Sequence, residues 1–253
     1  MEISKNDNIN VVEKSSQAEQ IQYEKMFQLL NNSPIPPNEL IHNLALFQSR
    51  QDLSRVLFMN ELYQKIINVH GSIMEFGVRW GQNLTLFTSF RGIYEPFNYN
   101  LKIIGFDTWE GFPKLDEKDG AKLKEGDYAT AKNYDEYLNQ LLDYHESFSP
   151  ISHIKKFELI KGDATVKSKE YFEKHPETIV ALAYFDFDIY LPTKECLLTV
   201  KEHMPKGGII AFDELNCSDF PGETIAMNEV FGIKNVELKR LPYAPLCSYF
   251  EVK

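Results

Sequence analysis

Residues 73–81 read Ile-Met-Glu-Phe-Gly-Val-Arg-Trp-Gly, and they give the clearest indication of the fold. It predicts a buried strand ending near Glu75, a tight turn with glycines at 77 and 81, and a helix from Gln82 onward. This order is typical of a nucleotide site, because backbone without a side chain can approach a ligand closely. It is equally compatible with a tight connection that binds nothing.

The spacing of the two glycines narrows the choice of ligand. Gly77 and Gly81 form G-x-x-x-G, whereas dinucleotide-binding proteins carry G-x-G-x-x-G, so an NAD-dependent oxidoreductase is disfavoured. Glu75 stands two residues before Gly77, where a carboxylate suits a cationic ligand better than a pyrophosphate. S-adenosylmethionine (SAM) carries a sulfonium and an ammonium group, and we therefore expect SAM as the cofactor.

Composition restricts the class of protein and its partners. The chain has 253 residues, of which 43% are hydrophobic and 25% charged, as in one large α/β domain with an appendage. The net charge of −10 argues against a nucleic-acid partner, and no apolar run suggests a membrane span or a secretion signal. Cys196, Cys217 and Cys247 form no C-x-x-C pair, which favours a reduced protein in the cytoplasm.

Three regions are predicted along the chain. Residues 1–18 are polar and aperiodic and form a flexible arm, residues 19–70 form an N-terminal helical cap or oligomer contact, and residues 71–253 form the SAM-binding domain. Prolines 34, 36 and 37 separate two helical stretches in the cap, 21–30 and 40–69. One side of the second stretch is expected to carry Leu53, Leu57, Leu62 and Ile66.

From residue 72 onward the pattern alternates strands and helices. The predicted strands are 72–76, 101–107, 157–161, 179–186 and 208–213, and the predicted helices are 82–90, 134–144, 167–174, 193–203 and 223–231. Residues 236–240 and 248–252 are expected to form an antiparallel pair. The alternation predicts an α/β fold with an open, mostly parallel twisted sheet and helices on both faces.

Acidic residues stand at or just beyond the carboxyl end of each of the five predicted parallel strands. They are Glu75, Asp107, Asp163, Asp186 with Asp188, and Asp213 with Glu214. Ligands of such sheets bind at the carboxyl ends of the strands, so these acids indicate a functional site. Each one taken singly is also compatible with a helix N-cap or a turn.

Five further residues are assigned to the cofactor. Asp107 ends the second strand, where an acid can accept both hydroxyls of a ribose, and Asp163 is placed to meet the adenine amino group. Trp109, Gly111 and Phe112 belong to the same block as Asp107, and the aromatic rings are candidates to pack on adenine or methionine. The alternative for Trp109 is that it covers the edge of the sheet.

The fourth and fifth strands are expected to be neighbours, which would bring Asp186, Asp213 and Glu214 together. Two carboxylates about 4 Å apart repel by roughly 4 kcal/mol at an effective dielectric near 20, so such a group must bind protons or a cation. Oxygen ligands favour Mg²⁺, Ca²⁺ or Mn²⁺ over Zn²⁺. Solvated or capping carboxylates are the alternative.

These blocks together resemble the macrocin-type (TylF/MycF) SAM-dependent O-methyltransferases, over roughly residues 40–253. The matching segments are Glu75-x-Gly-x-x-x-Gly81, Gly105-Phe-Asp-Thr-Trp-Glu-Gly-Phe112, Lys161-Gly-Asp163, Asp186-Phe-Asp-Ile-Tyr190-x-x-Thr193 and Gly207-Gly-Ile-Ile-Ala-Phe-Asp-Glu214. The family usually carries Asp-Asp-Tyr where this chain has Asp213-Glu-Leu215, and residues 48–55 match the family only loosely.

The resemblance implies a class I methyltransferase fold with a seven-stranded sheet, a divalent metal, usually Mg²⁺, and homo-oligomers whose N-terminal helices contact neighbours or cover the site. It also implies site residues. Asp186, Asp213 and Glu214 would be metal ligands, and Glu75, Gly77, Gly81, Asp107 and Asp163 would hold SAM.

The expected activity is methyl transfer from SAM to a hydroxyl of a deoxysugar that is free, nucleotide-linked or part of a glycosylated natural product. Asp186 or Asp188 is the expected base, and an N-cap is the alternative role of Asp188. A catechol-type enzyme acting on a small phenol and a non-catalytic scaffold are the alternative functions. The charged segment 113–133 is interpreted as a mobile lid or as an ordinary solvated loop.

Overall fold

The computed structural model of the chain describes Val11 and residues 15–253, so most of the predicted flexible arm lies outside the described residues. The helices are α1 (Gln17–Asn31), α2 (Pro37–Leu40), α3 (Arg50–Ile66), α4 (Gln82–Tyr94), α5 (Tyr134–Ser147), α6 (Ala164–Lys174), α7 (Tyr190–Val200) and α8 (Pro221–Phe231). Short 3₁₀ segments cover Ile41–Phe47 and Lys201–His203. The strands are β1 (Ser72–Phe76), β2 (Ile103–Asp107), β3 (Phe157–Lys161), β4 (Val180–Phe185), β5 (Ile209–Phe212), β6 (Lys239–Leu241) and β7 (Ala244–Glu251).

The seven strands form one sheet in the order β3-β2-β1-β4-β5-β7-β6. The first five are parallel, whereas β7 runs antiparallel to both β5 and β6. This arrangement confirms the predicted fold class, including the neighbouring positions of β4 and β5 and the antiparallel C-terminal pair. All five residues of β1 are buried, because helices cover the sheet on both sides.

A ladder of four phenylalanines crosses the middle of the sheet. Phe106, Phe76, Phe185 and Phe212 stand on adjacent strands, and successive ring centroids are 5.1, 4.7 and 5.5 Å apart. The rings belong to residues directly paired in the strand register. Stacked aromatic pairs across strands favour one register, so β2, β1, β4 and β5 end at one level.

Two hydrophobic layers flank the sheet. One contains side chains of α3, α4 and α5, and the other contains side chains of α6, α7 and α8. Helix α3 begins after Ser49, whose side chain accepts the N–H of Asp52 while Asp52 accepts the N–H of Ser49. This capping box divides the predicted stretch 40–69 and fixes where the helix starts.

The apolar face predicted for α3 is correct only in its second half. Leu62 and Ile66 are buried, but Leu53 and Leu57 are 43% and 53% exposed. At 100° per residue, Leu53 and Leu57 lie about 180° and 140° around the helix from Leu62. The stripe that packs on the sheet is instead formed by Phe58, Met59, Leu62, Tyr63 and Ile66.

The segment between β2 and α5 is docked against the body of the protein. Phe112 and Leu123 are buried with residues of the loops after β4 and β5. Asp119 accepts the N–H of Tyr190 at 2.6 Å, and a Cβ on Gly120 would lie 1.9 Å from the carbonyl oxygen of Asp219. These contacts argue against the interpretation of residues 113–133 as a solvated loop, and the interpretation as a mobile lid stays a prediction.

Helix α1 has no buried residue, and several of its apolar side chains, Phe27 and Leu29 among them, are exposed. No helix in the described part of the chain is long and apolar enough to cross a membrane.

Candidate active site

A cavity of about 520 Å³ lies at the carboxyl ends of the parallel strands, within the size range of small-molecule sites. Of the residues predicted for the site, all line this cavity except Glu75 and Trp109. Val11, which stands apart from the other described residues, also lies along it. The level strand ends set by the phenylalanine ladder account for this convergence.

Close packing around the turn between β1 and α4 requires glycine at two positions. Gly77 has φ = 92°, and a Cβ there would lie 2.1 Å from the carbonyl oxygen of Asp186. Gly81, the N-cap of α4, has φ = 78°, and its Cβ would lie 2.3 Å from the side chain of Leu138. Both positions therefore require glycine, and the turn brings the N-terminus of α4 to the cavity wall.

Asp107 holds this turn in place. Its Oδ2 accepts the N–H groups of Val78 and Arg79, both at 2.7 Å, and its Oδ1 accepts the N–H of Trp109 at 2.6 Å. A carboxylate oxygen has two lone pairs, so Oδ1 retains capacity for a hydroxyl group. The predicted contact of Asp107 with the ribose would use that position.

Glu75 and Asn83 form a buried pair beside the turn. Asn83 donates to Glu75 Oε1 at 2.9 Å, and Glu75 is 1% exposed. Glu75 Oε2 and Asn83 Oδ1 are buried without a hydrogen-bond partner among the described residues. Burial raises the pKa of Glu75 well above its usual value, against the hydrogen bond from Asn83. Two buried acceptors that lack a donor fit an ammonium group, such as that of SAM.

Asp163 is the N-cap of α6. Its Oδ1 accepts the N–H of Thr165 at 2.9 Å and the hydroxyl of Thr165 at 2.7 Å. The carboxyl group also lines the cavity. The capping role is thus present, and the contact with the adenine amino group stays a prediction.

The block after Asp107 is split between core and cavity. Trp109 is 4% exposed and donates its indole N–H to the carbonyl of Arg79 at 3.0 Å, which favours the alternative that it covers the sheet edge. Phe112 and Gly111 line the cavity. Gly111 has φ = 81°, and a Cβ there would lie 2.4 Å from the carbonyl oxygen of Asp127.

Asp186, Asp213 and Glu214, hereafter the acid cluster, converge on the cavity. They do so because Phe185 and Phe212 are paired in the register of β4 and β5, so the residues that follow emerge side by side. This much agrees with the sequence prediction.

The acid cluster already contains a cation, the guanidinium of Arg55. Arg55 Nη2 donates to Asp213 Oδ2 at 2.7 Å, and Nη1 lies 3.9 Å from Asp186 Oδ2. Asp213 Oδ1 accepts the hydroxyl of Tyr184 at 2.6 Å and the thiol of Cys247 at 3.3 Å. Both oxygens of Asp213 are therefore engaged by side chains of the protein.

These contacts separate the pKa values of the two aspartates. Burial acts to raise the pKa of Asp213, but the charge of Arg55 and its hydrogen bond outweigh burial and lower it. The pKa of Asp186 is raised well above its usual value by desolvation and by the neighbouring Asp213, despite Arg55. Asp213 is thus an anion and Asp186 the better proton acceptor of the two.

Asp188 lies in the cavity wall on a strained backbone, with φ = 64°. Glu223 Oε1 accepts the N–H groups of Phe187 at 3.0 Å and of Asp188 at 3.3 Å. The N-cap of α7 is Ile189, so the alternative that Asp188 caps this helix is wrong. Burial and then Asp186 raise the pKa of Asp188 well above its usual value.

The arrangement of the acid cluster does not fit a divalent cation. In the described part of the chain, no group of three or more His, Cys, Asp or Glu side chains is placed to hold a metal ion. The reason is visible at Asp213, whose oxygens accept three donors while Arg55 stands between Asp213 and Asp186. The predicted Mg²⁺ is not supported by this geometry.

Several residues that line or support the cavity were not predicted for the site from the sequence, among them Arg55, Arg79, Asn83 and Glu223. Arg55 had a signal, because it lies about 20° around α3 from the buried Leu62. Arg79 lines the cavity with its guanidinium 4.9 Å from the ring centre of Tyr128. Glu223 reaches the site from α8, and no short-range pattern connects it to the loop after β4.

The fold and the site define a class I SAM-dependent O-methyltransferase. CalS11, a calicheamicin methyltransferase, is 38% identical, with 99% of each chain covered and a TM-score of 0.91. An apo structure of CalS11, described as a TDP-rhamnose 3'-O-methyltransferase of calicheamicin biosynthesis, matches at 38% identity over 94% of this chain and 96% of that one, with a TM-score of 0.83. The O-methyltransferase NovP shares the fold at 14% identity and a TM-score of 0.62, over 92% of this chain and 99% of its own.

No protein-family model and no curated protein sequence matches the chain. The likeness to CalS11 nevertheless spans the whole chain. The protein belongs to the macrocin-type family of SAM-dependent sugar O-methyltransferases, and the resemblance stated from its motifs is confirmed.

Proposed function

We propose that this enzyme transfers a methyl group from SAM to a hydroxyl of a nucleotide-linked deoxysugar. The observation that carries the proposal is the 38% identity, over nearly all of both chains, to a TDP-rhamnose 3'-O-methyltransferase. The acid-lined cavity at the strand ends supports it, since a hydroxyl acceptor needs a base.

On the cofactor side, Glu75 and Asn83 would accept hydrogen bonds from the ammonium group of SAM. Asp107 would accept a ribose hydroxyl through Oδ1, and Asp163 would accept the adenine amino group. Gly77 and Gly81 leave the backbone accessible, and Gly111 and Phe112 would line the nucleoside. When bound, SAM supplies a methyl group on a positively charged sulfur and leaves as S-adenosylhomocysteine.

On the acceptor side, a carboxylate takes the proton of the sugar hydroxyl as the oxygen forms its bond to the methyl carbon and the carbon–sulfur bond breaks. Asp188 is the first choice for this base, because its raised pKa makes it a stronger proton acceptor and Glu223 fixes its backbone. Asp186 is the second choice, since the charge of Arg55 opposes its protonation.

A nucleotide-linked acceptor is favoured over a free sugar by Arg79. Its guanidinium lines the cavity beside Tyr128, and its Nε is buried without a partner within the described residues. A buried cationic donor of this kind fits a phosphate oxygen of the acceptor.

Metal dependence is the part of the predicted function that the geometry supports least. A divalent cation bound by Asp186, Asp213 and Glu214 would require Arg55 to leave Asp213. The steps above therefore rest on carboxylate chemistry alone. Turnover measured with excess EDTA and with added Mg²⁺ shows whether a metal contributes as well.

The test is a methyl-transfer assay with SAM labelled at the methyl group and three acceptors: TDP-rhamnose, free rhamnose and catechol. We expect label on TDP-rhamnose, at a rate reduced at least 100-fold in Asp188→Asn with the SAM affinity retained. Preferred transfer to catechol would favour the phenol alternative. SAM binding without transfer to any acceptor would favour the scaffold alternative and contradict the proposal.

A further inference from the structure

Arg55 occupies the position at which a cation would bridge Asp186 and Asp213. Its two terminal nitrogens face the two carboxyl groups, at 2.7 Å from Asp213 Oδ2 and 3.9 Å from Asp186 Oδ2. Nη1 also lies 3.5 Å from the hydroxyl of Tyr184, which donates to the other oxygen of Asp213. The guanidinium therefore completes a closed set of contacts around Asp213.

Arg55 is held in this position by the helix that carries it. It lies three residues before Phe58 and seven before Leu62, on the stripe of α3 that packs against the sheet. The capping box of Ser49 and Asp52 fixes the start of that helix less than two turns earlier. The side chain of Arg55 therefore projects from the packed face of α3 toward the strand ends, and the packing of the helix fixes its backbone.

We infer that Arg55 is the built-in counter-ion of the acid cluster, and that a divalent cation binds there only when Arg55 is displaced. Mg²⁺ binds carboxylate oxygens at about 2.0–2.1 Å, which would place it against the guanidinium nitrogen that already contacts Asp213 Oδ2. The two cations would then compete for one position. Because Arg55 is part of the chain, it can neutralise the charge of Asp213 without a metal ion from solution.

The test measures Mn²⁺ binding to the full chain by the loss of the free-ion signal in electron paramagnetic resonance, without SAM or acceptor. Arg55→Met removes the charge and keeps the apolar stem. Arg55→Lys keeps the positive charge but has a single nitrogen in place of the two terminal nitrogens that face Asp186 and Asp213. Arg50→Ala is the matched control, since Arg50 is an exposed arginine on the same helix.

We expect Arg55→Met to bind one Mn²⁺ at least ten times more tightly than the unmodified protein, and Arg50→Ala to bind as the unmodified protein does. Adding Asp213→Asn to Arg55→Met should abolish the gained affinity, which locates the ion. If Arg55→Met does not fold, as judged by circular dichroism, Arg55→Lys should still bind Mn²⁺ more tightly than the unmodified protein.

Unchanged or weaker binding in the folded Arg55 variants would overturn the inference. Tight 1:1 binding of Mn²⁺ by the unmodified protein, at an affinity equal to that of Arg55→Met, would overturn it as well. Because binding is read without methyl transfer, neither result bears on the proposed acceptor.

Discussion

Glu223 shows how a residue remote in sequence sets the position of a proposed catalytic group. It is fully buried, and one of its oxygens accepts the N–H groups of both Phe187 and Asp188. The strained backbone of Asp188, at φ = 64°, has its support there. Glu223 is therefore a positioning residue for Asp188.

We expect Glu223→Ala to lower kcat by roughly 100-fold, because a shift of about 1 Å in a catalytic group has effects of that size. The free energy of unfolding should fall by about 1–3 kcal/mol, since the buried N–H of Asp188 and the partly buried N–H of Phe187 lose their acceptor. Glu223→Gln is the matched control, because its amide oxygen can accept the same bonds. Steady-state kinetics check the first effect and urea unfolding the second; equal loss of kcat in both variants would contradict the positioning role.

Glu75 provides a prediction on pH. Its pKa is raised in the folded protein by burial, so the unfolded chain loses this proton first as the pH rises. Between the usual pKa of glutamate and the raised value, the unfolded state binds fewer protons, and stability falls with increasing pH. Glu75→Gln removes this penalty while keeping the shape of the side chain.

The gain in unfolding free energy of Glu75→Gln over the unmodified protein should therefore be larger at pH 8 than at pH 5. The SAM dissociation constant should rise roughly 10- to 100-fold, because hydrogen bonds to charged groups contribute about 1.5–3 kcal/mol. Thermal unfolding at both pH values and calorimetric titration with SAM measure the two effects. A variant that binds SAM normally would remove Glu75 from the cofactor site.

Among the secondary-structure elements, the parallel strands were the most predictable from sequence. β1 and β3 begin and end at the predicted residues, since short apolar runs bounded by glycine or charge have few alternatives. The acids after the strands were also readable, because parallel strands bring their carboxyl ends to one edge.

The sequence alone did not reveal which residues from distant elements contact the acids of the site and the loop after β4. Arg55 from α3, Glu223 from α8 and Cys247 from β7 all contact the site through tertiary packing. Arg55 had a signal in its position on the packed face of α3, but the spacing of Glu223 and Cys247 along the chain carries none. The prediction of a metal site shows the effect of missing these contacts. The converging acids were identified correctly, but the arginine that compensates their charge was not.

We propose that the segment between β2 and α5, which Asp119 attaches to the start of α7, forms a wall of the acceptor side of the cavity. We expect Asp119→Ala to raise KM for the acceptor several-fold and to expose residues 113–133 to proteolysis, because Tyr190 loses the acceptor of its N–H. SAM affinity should stay unchanged. Glu117→Ala, an exposed acid of the same segment, is the control. A rise in the SAM dissociation constant equal to that in acceptor KM would refute a wall specific to the acceptor.

At the scale of the whole molecule, α1 stands apart from the core. None of its residues is buried, and two of its large apolar side chains, Phe27 and Leu29, are 64% and 63% exposed. Exposed apolar side chains of this kind mark an interface, and we propose that a second copy of the chain covers them, in keeping with the predicted homo-oligomer and helical cap.

Phe27→Glu combined with Leu29→Glu should therefore shift the protein to monomer in sedimentation analysis, since charges in an apolar contact are costly to bury. Phe97→Glu, at an aromatic residue that is 70% exposed elsewhere, serves as the control. If the doubly substituted protein sediments as the unmodified one does, α1 is not the contact.

The capping box at the start of α3 determines where the enzyme can tolerate insertions and deletions. Each residue inserted into a helix turns everything on one side of it by about 100° relative to the other. An insertion before Ser49 would leave Arg55 facing the strand ends, whereas one between Arg55 and Phe58 would point the guanidinium away from Asp213 while the hydrophobic stripe stayed packed. Natural variation in length among relatives should therefore accumulate ahead of Ser49 and be absent from the single turn that follows Arg55.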